Sequence, residues 1–95
     1  MEKVNYAVSL NKVYQNVPNP FANYTVIRYD LGRKASVDIS IFDVTGKKVA
    51  LLQRGTQQPG SYQVRWEPGN LPSGTYYYRV DIDGEVSTKS MLKLR

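Results

Sequence analysis

Three observations predict an all-β, immunoglobulin-like antiparallel β-sandwich of about seven strands. Apolar residues alternate with period two from residue 25 onward, turn chemistry punctuates the chain roughly every ten residues, and no stretch carries a helical period.

Val4, Tyr6, Val8 and Leu10 alternate, but no turn separates them from the neighbouring segment, so residues 1–12 are expected to be a linker or an extra edge strand, with the domain proper over residues 13–95. In Gln15-Asn16-Val17-Pro18-Asn19-Pro20-Phe21 the two prolines fix φ and push Val17 and Asn19 out of the helical region. The segment is therefore stiff and extended. Its two missing N–H donors suit a sheet edge, and Phe21 is placed as an apolar anchor where the chain enters the sandwich.

Thr25, Ile27, Tyr29 and Leu31 then share one face, as do Val37, Ile39 and Ile41. A shorter strand is expected over Lys48–Gln53, where both faces carry apolar residues and the inward one is ambiguous. Tyr62, Val64 and Trp66 alternate with Gln63 and Arg65, and Tyr76, Tyr78, Val80 and Ile82 with Tyr77, Arg79 and Asp81. The last run is weaker, with Val86, Thr88, Ser90, Leu92 and Leu94 read as inward and Lys89, Met91 and Lys93 as outward. The expected core is Tyr29, Val37, Ile39, Ile41, Tyr62, Val64, Trp66, Tyr76, Tyr78 and Val80. Asp83-Gly84 between two alternating runs predicts a tight primed hairpin. Thr45-Gly46 predicts another, with Asp43 accepting from nearby backbone N–H groups.

Composition bounds the function. The 95 residues make one domain and contain neither cysteine nor histidine. Disulfides, thiolate metal sites and any nucleophile activated by histidine are thereby ruled out within the chain. The net charge of +5, from 13 Lys+Arg against 8 Asp+Glu, is scattered rather than clustered, which argues against a nucleic-acid groove. No run is long and apolar enough for a membrane-spanning helix. The N-terminus lacks the apolar core of a secretory signal, and Met1 reads as a start codon introduced on an excised fragment.

Four blocks, taken in order, carry a resemblance. Gln15 to Phe21 with Thr25 to Leu31 opens it; Val37 to Val49, through Ile41-Phe42-Asp43-Val44-Thr45-Gly46-Lys47, is the second. Trp66 with Leu71-Pro72-Ser73-Gly74-Thr75-Tyr76-Tyr77-Tyr78-Arg79 is the third, and Lys89-Ser90-Met91-Leu92-Lys93-Leu94-Arg95 closes it. Over roughly residues 13–95 the chain resembles the C-terminal sorting domains, type A, of the type IX (Por) secretion system of Bacteroidetes. Val17 stands where that family usually has Tyr, and Ser90 where a second Lys is frequent. The family's sandwich is related to the immunoglobulin-like module of flagellar hook-capping proteins, a shared fold that implies no shared role.

The resemblance implies a cargo tag. Such a domain sits behind an N-terminal cargo, folds in the periplasm and is recognised by the outer-membrane translocon. A sortase-like surface protease then usually removes it, and the cargo can be joined to anionic lipopolysaccharide. The resemblance implies no cofactor, no metal, no nucleic acid and no membrane insertion. The residues expected to carry recognition are Pro18, Asn19, Pro20, Phe21, Asp43, Gly46, Gly74, Lys89, Met91, Lys93 and Arg95. The C-terminal strand is the sharpest expectation. If the translocon reads it as an open edge, main-chain pairing supplies affinity, and the series Lys89, Met91 and Lys93 supplies specificity.

Other readings compete with this one. Tyr77 and Phe42 on a polar face would suit a carbohydrate-binding module, and a purely structural immunoglobulin-like accessory module is the third reading. Asp81 and Asp83 resemble part of a calcium loop, but Glu85 follows too closely to complete one. Asp30, Asp38, Asp43 and Glu67 show no acid/base spacing on one element, so catalysis is not expected.

Overall fold

The alternating runs become two layers. A computed structural model describes residues 10–95, so the expectation for residues 1–9 lies outside the described residues. The strands are β1 (Lys12–Val13), β2 (Thr25–Leu31), β3 (Ala35–Phe42), β4 (Lys48–Gln57), β5 (Gly60–Trp66), β6 (Gly74–Ile82) and β7 (Glu85–Lys93). They form a three-stranded sheet of order β1-β2-β5 and a four-stranded sheet of order β4-β3-β6-β7. All strand pairs are antiparallel. No helix occurs among the described residues.

The core is what alternation places between the sheets. Ile27, Tyr29 and Leu31 of β2 face Val37, Ile39 and Ile41 of β3 and Tyr76, Tyr78, Val80 and Ile82 of β6, all buried. Phe21 and Tyr76 flank Trp66, with ring centroids 5.9 and 5.6 Å from it. Two expected core residues, Tyr62 and Val64, point inward but are only half-buried. The reason is their place on β5, the edge of the smaller sheet, where one side has no neighbouring strand. Tyr62 compensates by stacking on Tyr29 at 5.4 Å.

Both hairpins form as expected. Asp83 and Gly84 have φ of 51° and 88°, the two left-handed residues that a type I′ turn requires. Asp81 accepts the Gly84 N–H at 2.8 Å, and Asp83 accepts the Ser36 N–H at 2.9 Å. These two carboxylates therefore serve the turn rather than a calcium ion. At the other hairpin, one oxygen of Asp43 accepts the N–H groups of Thr45 and Lys47 at 2.9 and 3.1 Å and the Thr45 hydroxyl at 2.6 Å. These bonds, the Thr45 hydroxyl foremost, hold the Asp43 carboxyl below its ordinary range.

The ambiguity of β4 has a structural cause. Ile39 pairs with Gln53 but Ser40 with Leu51, and Ile41 pairs with Ala50 but Phe42 with Lys48. Leu52 and Val49 are thus extra residues, two bulges that shift the alternation twice. An edge strand so bent is a poor template for another chain.

The register of β7 corrects the sequence reading. Tyr76 pairs with Met91 and Tyr78 with Lys89, and directly opposite residues share a face. The inward set is therefore Lys89, Met91 and Lys93, with Met91 only 2% exposed and Lys93 only 5%. Leu92 and Leu94, expected inside, are 41% and 48% exposed. A two-residue turn leaves no freedom here. It sets Ile82 opposite Glu85, and because Ile82 is buried every odd-numbered residue of β7 follows it inward.

Candidate functional site

Residues 14–21 act as a strap that passes from one sheet to the other. Its first half lies along β2, with the Tyr14 N–H donating to Arg28 at 3.0 Å and Val17 exchanging two bonds with Val26 at 3.0 and 2.9 Å. Both X-Pro bonds, Val17-Pro18 and Asn19-Pro20, are cis. Beyond them Phe21 runs parallel to β7 and bridges to Lys93. The Phe21 N–H donates to the Leu92 carbonyl at 3.0 Å, and the Leu94 N–H to the Phe21 carbonyl at 2.7 Å. Side chains complete the seam: Gln15 donates to the Ser90 carbonyl at 2.9 Å, and Asn19 accepts the Leu92 N–H at 3.0 Å. The edge of β7 from Ser90 to Leu94 is therefore closed. The expectation that this stretch is an open edge is corrected by the same segment whose prolines marked it as edge-forming.

A buried polar knot holds the strap down. The Asn16 side chain donates to the Thr25 hydroxyl at 2.9 Å and the Pro18 carbonyl at 3.2 Å, and accepts from Gln15 at 2.7 Å. The Thr25 hydroxyl donates to the same Pro18 carbonyl at 2.8 Å. The Tyr78 hydroxyl donates to the Tyr14 carbonyl at 2.8 Å and accepts the Asn16 N–H at 3.0 Å. Sequence reasoning misses Asn16 and Thr25. The available signal is a lone Asn ahead of the prolines, with Thr25 heading an otherwise apolar inward row.

Burial pushes the Tyr78 phenol up from 10.0 to about 12, against the opposing pull of the Asn16 N–H bond. Burial also raises Tyr29 and Tyr76, and the bond to Asp30 raises Tyr14. In each case the folded state holds the phenol proton more tightly than the unfolded chain does. For Tyr78 this stability is whole below the unfolded value of 10.0 and is lost as pH rises through the folded value of about 12. The melting temperature is expected to fall over that window, less steeply in Tyr78→Phe. Parallel curves for parent and variant would remove Tyr78 from the account.

The recognition candidates sort by position. Gly74 pairs with Lys93 across the β6–β7 ladder, and Phe21 bridges to Lys93 from the other side. Ser73, Gly74, Lys93 and Arg95 line an open groove of about 720 Å³. Ser73 and Gly74 also line a second hollow of about 220 Å³ shared with Asp43 and Tyr76. One end of the sandwich thus gathers Phe21, Asp43, Gly74, Lys93 and Arg95, and Gly46 sits in the Asp43 turn. Pro18, Asn19 and Pro20 lie on the strap, while Lys89 is placed higher on β7, opposite Tyr78. Met91 belongs to the core. Among the described residues no cluster of three metal-ligating groups occurs.

The other carboxylates are engaged in structure. Asp30 accepts from the Tyr14 hydroxyl at 2.5 Å, Asp38 pairs with Arg54 at 3.2 Å, and Glu67 with Arg65 at 2.6 Å. On the outer face Tyr77 is exposed opposite a half-buried Phe42.

Phe21, Asp43, Gly74, Lys93 and Arg95, singled out in the sequence, thus lie at one end of the sandwich, and Asp30, Asp38, Asp43, Glu67, Asp81 and Asp83 are each bonded within the fold. The family model for secretion system C-terminal sorting domains matches residues 12–93. The chain belongs to that family and is a C-terminal sorting signal for type IX secretion, so the protein that carries it is secreted or displayed at the cell surface. The carbohydrate-binding and spacer readings are not favoured. No curated protein matches the chain.

Proposed function

We propose that the domain is recognised as a folded body by the outer-membrane translocon, and that the end carrying Phe21, Gly74, Lys93 and Arg95, with the strap over Pro18–Pro20, is the surface read. The observation that carries this is the meeting of the sequence blocks at one residue: Lys93 has Gly74 on one side and Phe21 on the other. The exposed Leu92 and Leu94 supply apolar contact there. Transit through the periplasm, removal by a sortase-like protease and attachment of cargo to lipopolysaccharide complete the reading. The domain itself performs no chemistry.

The experiment is a fusion of residues 1–95 behind a periplasmic reporter. Surface display is expected in a type IX-competent bacterium, with retention in the periplasm of a strain lacking the translocon. Leu92→Asp with Leu94→Asp alters two exposed positions, so the fold should survive while display is lost. Equal display in both strains would overturn the sorting role of this chain. Undiminished display of the folded double variant would move the recognised surface elsewhere.

A further inference from the structure

The groove at this end has a composition that specifies its ligand. Its walls include Ala22, Leu92 and Leu94, apolar and in part exposed, and Arg95 stands among its lining residues. Lys93 also lines it, although only 5% of that residue is exposed. Its ammonium donates to the Leu94 carbonyl at 3.2 Å and makes no ion pair among the described residues. An ammonium has three donors, so this partly buried one keeps donors for a ligand. The directly opposite residue is Gly74, where an added Cβ would meet nothing within 4 Å. The space beside Lys93 is left open.

Resting on the sorting reading of this end, we infer that the groove binds an acidic segment of a partner protein, a carboxylate pairing with Lys93 while apolar neighbours of that carboxylate lie on Leu92 and Leu94. A phosphate-bearing lipid is the weaker fit. In a lipid the phosphate is separated from the acyl chains by a polar glycerol backbone, whereas a carboxylate residue has apolar neighbours directly beside it, as Lys93 has Leu92 and Leu94.

The test uses amide NMR of the labelled 95-residue chain with acetyl-Leu-Glu-Leu-amide, acetyl-Leu-Gln-Leu-amide and inorganic phosphate. The Glu peptide is expected to shift Gly74, Lys93 and Leu94 saturably, and the Gln peptide to bind about tenfold more weakly, the scale of a lost charge-assisted bond. Lys93→Met should keep the fold and abolish the preference. Equal binding of the two peptides, shifts confined to other residues, or the same pattern from phosphate alone would overturn the inference. Should Lys93→Met fail to fold, the comparison of peptides on the parent chain still decides. In the reporter assay, Lys93→Met should be retained in the periplasm. Display of that variant alongside the parent defeats the carboxylate pairing alone, whereas failure of the parent to be displayed defeats the sorting reading.

Discussion

Trp66→Ala is expected to lower the unfolding free energy by about 3–5 kcal/mol, the range for emptying a large buried aromatic site. Trp66 ends β5, the edge strand whose other inward residues are only half-buried, so it carries most of that strand's anchorage. It also joins three separate parts of the chain. Phe21 of the strap leans on it at 59° and Tyr76 of β6 meets it edge-on at 71°. Removing the indole leaves both rings facing a void, and rigid neighbouring strands collapse into it only in part. Urea denaturation followed by circular dichroism measures the change. A loss below about 1 kcal/mol would mean that Trp66 does not bind the strap to the core.

Tyr78→Phe is expected to cost roughly 2–4 kcal/mol although it deletes one oxygen, because that oxygen satisfies two buried backbone groups at about 1–3 kcal/mol each. Without it the Asn16 N–H and the Tyr14 carbonyl lose their partner in a region where Asn16 and Thr25 are also buried. The ring itself stays, so packing changes little, and Tyr76→Phe serves as the comparison. The Tyr76 hydroxyl donates to the Pro72 carbonyl at 2.5 Å and serves a single loop carbonyl. Equal losses in the two variants would show that the knot under the strap is worth no more than an ordinary loop contact.

The legible part of this fold is the part that local chemistry decides. The inward rows of β2, β3 and β6 alternate cleanly, because these strands have neighbours on both sides and one fully buried face. The turn at Asp83-Gly84 is readable from two residues. Its consequence is also available in principle: a two-residue turn ties the parity of β7 to that of β6, which places Lys89, Met91 and Lys93 inward. Hydrophobicity argues the other way, through Leu92 and Leu94, and turn geometry prevails.

The bulges in β4 leave no mark in the composition, since Val49 and Leu52 look like their neighbours. For the candidate site, the prolines reveal an edge segment but not which edge. Its partners Ser90, Leu92 and Leu94 lie more than seventy residues away in sequence. The burial of Asn16 is equally hidden, because beside its neighbours Gln15 and Pro18 it depends on Thr25 of β2 and Tyr78 of β6.

The bonds between Phe21 and the segment Leu92–Leu94 join two stretches more than seventy residues apart in the chain. Residues 90–94 are synthesised more than seventy residues after the strap, so throughout that interval the strap has no seam to close against. A chain released early would carry the Pro-Asn-Pro-Phe segment and most of the core, yet would lack the closed edge and the groove beside Lys93. The closed seam therefore also certifies that the chain has been made through its last seam residue, Leu94. A cargo sorted by this end of the sandwich is one whose message was read through to Leu94.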